Sequence, residues 1–367
     1  MKKNLRYIGI FALLVLWAGL TVFAWVKPAG EASEAERRPL AQFPTISGEN
    51  LLSGKFVTDF EDYTLDQFPG RDLFRKLKAL VQYNVLRQQD NNGIYLVDGY
   101  AAKLDYPVDE DAVDHALSRL HFVYETYLKD TGSQISVAVI PDKGYYLAEK
   151  NGYPAMDYEK MFTMVQEKLP FANNVDLTDC LNYTDYYFTD THWRQENLLK
   201  VAQKLSGALG VTAPRAEDFT KVKLDTPFYG VYYGQAALAM EPEELFVLES
   251  DLLKDCQVFD FETQSYAPVY DLEKLSGKDP YEVFLSGPKS LLRLENPGAK
   301  TDKELIIFRD SFGSSVAPLL TQDYKTVTLV DIRYLDSRML GNFLEFTGQD
   351  VLFLYSTLVL NSGSTLK

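Results

Sequence analysis

Four short apolar runs constrain this chain more than anything else in it. They are "QISVAVIP" (134–141), "ELIIFRD" (304–310), "KTVTLVDI" (325–332) and "DVLFLYS" (350–356), and "NNVDLTDCL" (173–181) reads as a short strand and turn. Several are apolar at almost every position, so both faces of a strand there must be buried. Segments of helical spacing lie between them: 109–129, "YEKMFTMVQEKL", "QENLLKVAQKLSGALG" ending at Gly210, "SFGSSVAPLL" and "SRMLGNFLEF". Buried strands alternating with helices predict an α/β fold with a mainly parallel sheet covered on both faces. "NNGIYLVDGYAAKL" reads as a hairpin, and the stretch around 55–88 as two helices broken at "FPGRD". Residues 214–300 carry only short strand signals and many acidic residues.

The start of the chain sets its location. Lys2, Lys3 and Arg6 precede an uncharged, mostly apolar run from Ile8 to Val26. At about 1.5 Å per residue such a helix comes close to the roughly 30 Å of a hydrocarbon core. The run ends in "FAWVKP", a poor cleavage site, so an uncleaved signal-anchor is preferred over a signal cleaved a little later, at "PAGEA". Basic residues before it keep the N-terminus inside and everything after about residue 30 outside. The expected organisation is a membrane anchor over 1–29, a linker over 30–50 rich in Pro, Gly, Ala and charge, and an extracytoplasmic domain over 51–367. The net charge of −15 would repel a phosphate backbone and argues against nucleic-acid binding. Cys180 and Cys256 make no disulfide framework, leaving one disulfide or two free thiols open. No zinc-type, P-loop or dinucleotide motif is present, so no metal or cofactor is expected.

Chemistry-bearing residues are few. Of three histidines, His115 and His121 lie six apart on a helical stretch and cannot share one face. His192 follows Asp190 by two residues, in "YYFTDTHWRQEN". A carboxylate on one imidazole nitrogen leaves the other to act as a base. The competing reading makes Asp190 a helix cap with His192 in the first turn. Ser311 follows an apolar strand and precedes a helix, the edge where open α/β sheets gather their active sites. There the competing reading is a plain N-cap.

"YYFTDTHW" together with "LIIFRDSFGSSVAPLL" resembles the DHHW family of bacterial envelope proteins, which is similar to the alginate O-acetylation proteins AlgJ and AlgX. "RRPLAQFP", "FEDYTLDQFPGRDLF", "NNGIYLVDGY", "VIPDK" and "LVDIRYL" fit the same pattern, over about residues 38–357. The resemblance implies an SGNH-hydrolase-like three-layer α/β/α domain. It implies Ser311 as nucleophile, His192 as base and Asp190 as orienting carboxylate. It also implies transfer of an acetyl group to a cell-surface polysaccharide, with a membrane-bound O-acyltransferase (MBOAT) partner supplying the acetyl. An outward-facing domain cannot reach cytoplasmic acetyl-CoA, so the donor is an acylated partner, a carrier or an acetylated glycan. Two positions depart from the pattern: Thr191 replaces the first histidine, and Arg309 replaces the glycine of "GDS". Trp193, Tyr187, Arg71 and Lys143 are candidate substrate contacts, the last two competing with a helix-end salt bridge. The alternatives are a polysaccharide deacetylating esterase, and a non-catalytic glycan-binding or assembly protein whose tyrosines (186, 187, 229, 232, 233) and Phe228 stack on sugars.

Overall fold

A computed structural model describes residues 2–33, 35–238 and 240–367. The chain forms two compact units: residues 1–91 with 234–239, and residues 92–233 with 240–367.

The first unit is helical. Helix α1 (Lys2–Val26) contains the apolar run, and Tyr7–Val26 is long and apolar enough to cross a membrane. The side chains of Lys2, Lys3 and Arg6, which carry the argument for its orientation, lie outside the described residues. Helices α2 (Lys55–Asp66) and α3 (Arg71–Leu80) follow, broken at "FPGRD" as the sequence predicts, with Gly70 at φ 69° before α3. The stretch read as a tether is pinned to α2. Arg38 makes a two-pronged bond to Asp66 (2.7 and 2.6 Å), and the Ala41 N–H donates to the same carboxylate. The Arg38 guanidinium holds the Asp66 carboxyl down at about 2.

The second unit is built on an eight-stranded sheet: β1 (Ile135–Ile140), β2 (Asn173–Asn174), β3 (Gln257–Asp260), β4 (Ser265–Pro268), β5 (Leu291–Glu295), β6 (Lys303–Arg309), β7 (Tyr324–Val330) and β8 (Asp350–Ser356). The spatial order is β4-β3-β5-β7-β6-β8-β1-β2. The four pairings from β7 to β2 are parallel, and the three from β4 to β7 are antiparallel. Residues 257–295, the part hardest to read in sequence, thus supply the antiparallel edge.

Side-chain alternation divides the core into two layers. Ala138, Ile140, Leu305, Ile307, Leu352 and Leu354 face helix α6 (Leu199–Ala208) through Val201, Ala202 and Leu205. Val137, Val139, Ile306, Phe308, Val351 and Phe353 face helices α4 (Glu110–Val123) and α5 (Tyr158–Lys168). This is the expected three-layer α/β/α arrangement. One helix expectation fails: "SRMLGNFLEF" forms only a short 3-10 turn, Ser337–Asn342. Gly341 lowers helix propensity there, and within that turn only Ser337 and Leu340 are buried, so packing does not rescue it.

Candidate active site

After β6 the chain crosses to β7 on one side, then returns as β8 on the other. The end of β6 is therefore a topological switch point, where two loops diverge and leave a crevice. Asp310 and Ser311 occupy it. Asp310 braces the turn: Oδ1 accepts from the Phe312 N–H (3.0 Å) and Oδ2 from the Ser356 N–H (2.8 Å) at the end of β8. Ser311 caps no helix. The short helix Gly313–Val316 begins after Phe312, without a side-chain cap. The Ser311 N–H has no acceptor among the described residues, so it is free to meet an oxyanion.

Arg309 accounts for the departure from "GDS". It is fully buried, and its aliphatic stem lies where a Cβ on Gly313 would stand. Arginine at 309 thus requires glycine at 313. The guanidinium sits 3.9 Å from Asp331 and turns toward the Lys289 carbonyl.

The second loop carries His192. Tyr186 and Trp193 pair as an antiparallel bridge, and the Tyr187 N–H donates to the His192 carbonyl (3.0 Å), closing a tight loop with Asp190 near its tip. Asp190 caps no helix, since regular helix starts only at Leu199. Instead its Oδ1 accepts from the His192 N–H (2.9 Å) and from Nδ1 of the ring (2.6 Å), while Oδ2 accepts from the Val231 N–H (2.7 Å). The two backbone N–H donors, of His192 and Val231, already hold this carboxylate as an acceptor. The proton therefore belongs on Nδ1, and Nε2 is left to accept from Ser311 Oγ at 2.7 Å. Ser311, His192 and Asp190 form one hydrogen-bonded line, with His192 119 residues before Ser311. The line is chemically competent to deprotonate a serine and to stabilise the resulting imidazolium.

Residues with no local sequence signature hold this line. Tyr281 stacks on the His192 ring at 3.9 Å and 10°. Its O–H donates to Ser315 Oγ (2.9 Å), which also accepts from the Trp193 indole N–H (2.9 Å). Glu243 takes the Phe188 N–H (2.8 Å), the Thr189 N–H (2.6 Å) and the Thr189 O–H (2.6 Å), anchoring the loop just before Asp190. Burial raises the Glu243 carboxyl above its usual range. Gly230 is required by close approach, because a Cβ there would overlap Asp190. Thr191, at the expected first-histidine position, accepts from the Tyr232 O–H (3.1 Å). "FYGVYYG" and "EPEEL" mark Gly230 and Glu243 only in hindsight.

Of the four expected substrate contacts, Trp193, Tyr187 and Lys143 are buried in the second unit and Arg71 is paired within the first. Trp193 is fully buried, its N–H engaged by Ser315 and the Phe312 carbonyl, so it props the Ser311 turn. Tyr187 is also fully buried, edge-on to Phe228. Arg71 belongs to the first unit, where Glu36 and Asp66 pair with it. Lys143 is buried at the start of a short helix. Its ammonium donates to the Tyr187 carbonyl (2.7 Å) and lies 5.0 Å from the Tyr232 ring centre. Of the six aromatics considered for sugar stacking, Tyr186, Tyr187, Phe228 and Tyr232 are core. Only the Tyr229–Tyr233 pair, 4.7 Å between rings, reaches the surface, beside Gly230. His115 and His121 bond backbone carbonyls of Leu366 and Lys168. Both cysteines are free thiols, and burial pushes Cys256 up to about 12.

No protein-family model matches the chain, and no curated protein matches it. Solved structures do. A DHHW family protein from Eubacterium siraeum aligns with 75% of this chain and 94% of its own, at a TM-score of 0.59 and 22% identity. PatB1 of Bacillus cereus, with a sulfonyl adduct, aligns with 73% of this chain and 95% of its own, at 0.58 and 17%. Weaker matches include the O-acetyltransferase domain of Pseudomonas putida AlgJ and Pseudomonas aeruginosa AlgX, at TM-scores of 0.45 and 0.40, too distant to bear on this chain. At these identities the likeness establishes the fold: this chain shares the architecture of a DHHW family protein.

Burial lowers the Lys143 ammonium to about 7, against which nearby Glu243, Asp190 and Asp142 act. The unfolded chain then holds one more proton than the folded one between about pH 7 and the ordinary lysine pKa of about 10.4. Stability from this residue therefore rises with pH across that window and is lowest below pH 7. Denaturant titrations at several pH values should show this slope in the native chain and its loss in Lys143→Met.

Proposed function

We propose that this protein is an envelope-anchored O-acyltransferase that acetylates a cell-surface polysaccharide through an acyl-serine intermediate. The observation that carries the reading is the line from Ser311 Oγ through His192 to Asp190, at 2.7 and 2.6 Å. In this reading His192 Nε2 takes the Ser311 proton as Oγ attacks the acyl carbonyl. The Ser311 N–H receives the oxyanion, and the imidazolium returns the proton to the departing group. A sugar hydroxyl, deprotonated by the same nitrogen, then attacks the acyl-serine, and the imidazolium returns that proton to the departing Oγ. Asp190 holds the ring and offsets its charge. The PatB1 structure with a sulfonyl adduct, on the same fold, is in keeping with a reactive nucleophile.

Helix α1 serves in this proposal as a single-pass anchor, with residues 1–29 in and beside the membrane, 30–50 leading out, and 51–367 on the extracytoplasmic side. The acetyl donor is then a partner in the same membrane, of MBOAT type, or an acylated carrier. Exposed Tyr229, packed on half-buried Tyr233, is the candidate platform for the acceptor sugar.

Two outcomes follow. With an aryl acetate as donor and water as acceptor, the native chain should turn over, and Ser311→Ala or His192→Ala should each lose about 10³-fold or more. Turnover unchanged by either substitution would remove the triad. Tyr229→Ala should leave aryl acetate turnover intact while raising the KM for a polysaccharide acceptor, as competition kinetics would read.

A further inference from the structure

Helix α3 and its π-helical continuation Val81–Val85 present an apolar arc that no described residue of their own unit covers. At about 100° per residue, Leu73, Phe74, Leu77, Leu80 and Val81 fall on one side. Leu73, Leu77, Leu80, Val81 and Val85 are between 38% and 70% exposed. The opposite side is occupied: Ala79 is buried, and Arg75 donates to the Gly234 carbonyl (2.7 Å) within the same unit. Lys76 and Lys78 lie on the two flanks of the arc, about equally far from its centre. Residues 71–87 carry five basic side chains and one acidic, in a protein of net charge −15; Arg71 and Arg75 are paired with Glu36 on the occupied side, and the remaining three are Lys76, Lys78 and Arg87.

The chain also places this helix at the outer end of α1. Gly30, four residues past α1, donates to Gln67 Oε1 (2.8 Å), and Gln67 Nε2 returns a bond to the Gly30 carbonyl (2.9 Å). Gln67 is buried and stands four residues before Arg71. Trp25, one residue from the end of α1, meets Phe60 of α2 at 6.5 Å, and Phe43 packs edge-on to Phe56, Phe60 and Tyr63. An aromatic cluster at the end of an apolar helix marks a membrane–water interface.

We infer that α3 and its continuation lie in the headgroup–acyl boundary of the bilayer that α1 crosses, with the leucine arc in the acyl chains and Lys76 and Lys78 on anionic headgroups. An apolar face bordered by lysines, in a segment of positive charge, is the pattern of a helix that binds an anionic lipid surface. The lysine stems reach up from the flanks while their ammoniums stay in the polar layer. The exposed arc and the local reversal of charge thereby share one cause. Such seating gives the anchor a second hold on the membrane. The inference rests on reading α1 as an anchor, and it names lipid rather than protein as the occupant.

The test uses the full chain, with Cys180→Ser and Cys256→Ala, in phosphatidylcholine bilayers with and without phosphatidylglycerol. A nitroxide is placed in turn at Val15→Cys in α1, Leu77→Cys in α3, and the exposed Leu272→Cys as an aqueous reference. The readout is collision with oxygen, which enriches in lipid, against collision with a water-soluble nickel chelate. The expected result is an oxygen-to-nickel ratio at Leu77 several-fold above that at Leu272. That ratio should fall when Lys76→Gln and Lys78→Gln are combined or the phosphatidylglycerol is omitted. A Leu77 label as open to nickel as Leu272, with Val15 in lipid, overturns this inference and leaves the anchor standing. A Val15 label open to nickel removes the anchor and this inference with it. Shielding of Leu77 from both reagents means that a protein surface covers the arc, and also overturns it.

Discussion

The Asp190 carboxylate is the constraint on which the rest of the site depends. One oxygen receives both the backbone and the ring N–H of His192, and the other is held by the Val231 N–H. The first bond sets the loop, the second sets the tautomer, and the third ties both to a segment forty residues further on. Without this carboxylate, Nε2 has no fixed reason to face Ser311. A charge at this depth is tolerated because every donor around it is aimed inward. Glu243 repeats the arrangement one step back, neutralising the N–H groups of Phe188 and Thr189. Gly230 allows the approach by having no Cβ.

The sheet provides the other half. Ser311 stands at the end of a central parallel strand, where the order of strands reverses. Asp310 locks that strand end to β8, and Arg309 fills the space beneath the turn. The turn thus keeps its shape although the small residue expected at 309 is absent. Tyr281 comes from the 214–300 region, and its ring covers one face of His192. That region supplies the antiparallel strands β3 to β5 and also, through Glu243 and Tyr281, the supports of the loop that carries His192.

Much of the fold could be read from sequence because β1, β6, β7 and β8 are buried on both faces and leave continuous apolar runs. The antiparallel strands were harder because one of their faces is polar: Arg293 and Glu295 alternate with Leu292 and Leu294. That Ser311, His192 and Asp190 come together was legible because few residue types can perform that chemistry and the chain has only three histidines. The burial of the expected substrate contacts was not. Trp193 and Tyr187 read as substrate contacts in sequence, and only tertiary packing reveals that both are buried. Lys143 reads as a substrate contact or a helix-end salt bridge until the carbonyl of Tyr187 and the ring of Tyr232 are seen to enclose it. Glu243, Gly230 and Tyr281 act across 40 to 90 residues, and nothing local distinguishes them.

The central claim is that Ser311 carries the acyl group. The most direct measurement is mass spectrometry of the chain quenched in acid during turnover of an aryl acetate, followed by mapping of the acetylated peptide. The account predicts a single acetyl group on Ser311, accumulating in the native chain and absent in His192→Ala. Turnover with no acetyl on Ser311 at any quench time, or acetyl on another residue at the same level in both chains, would contradict it.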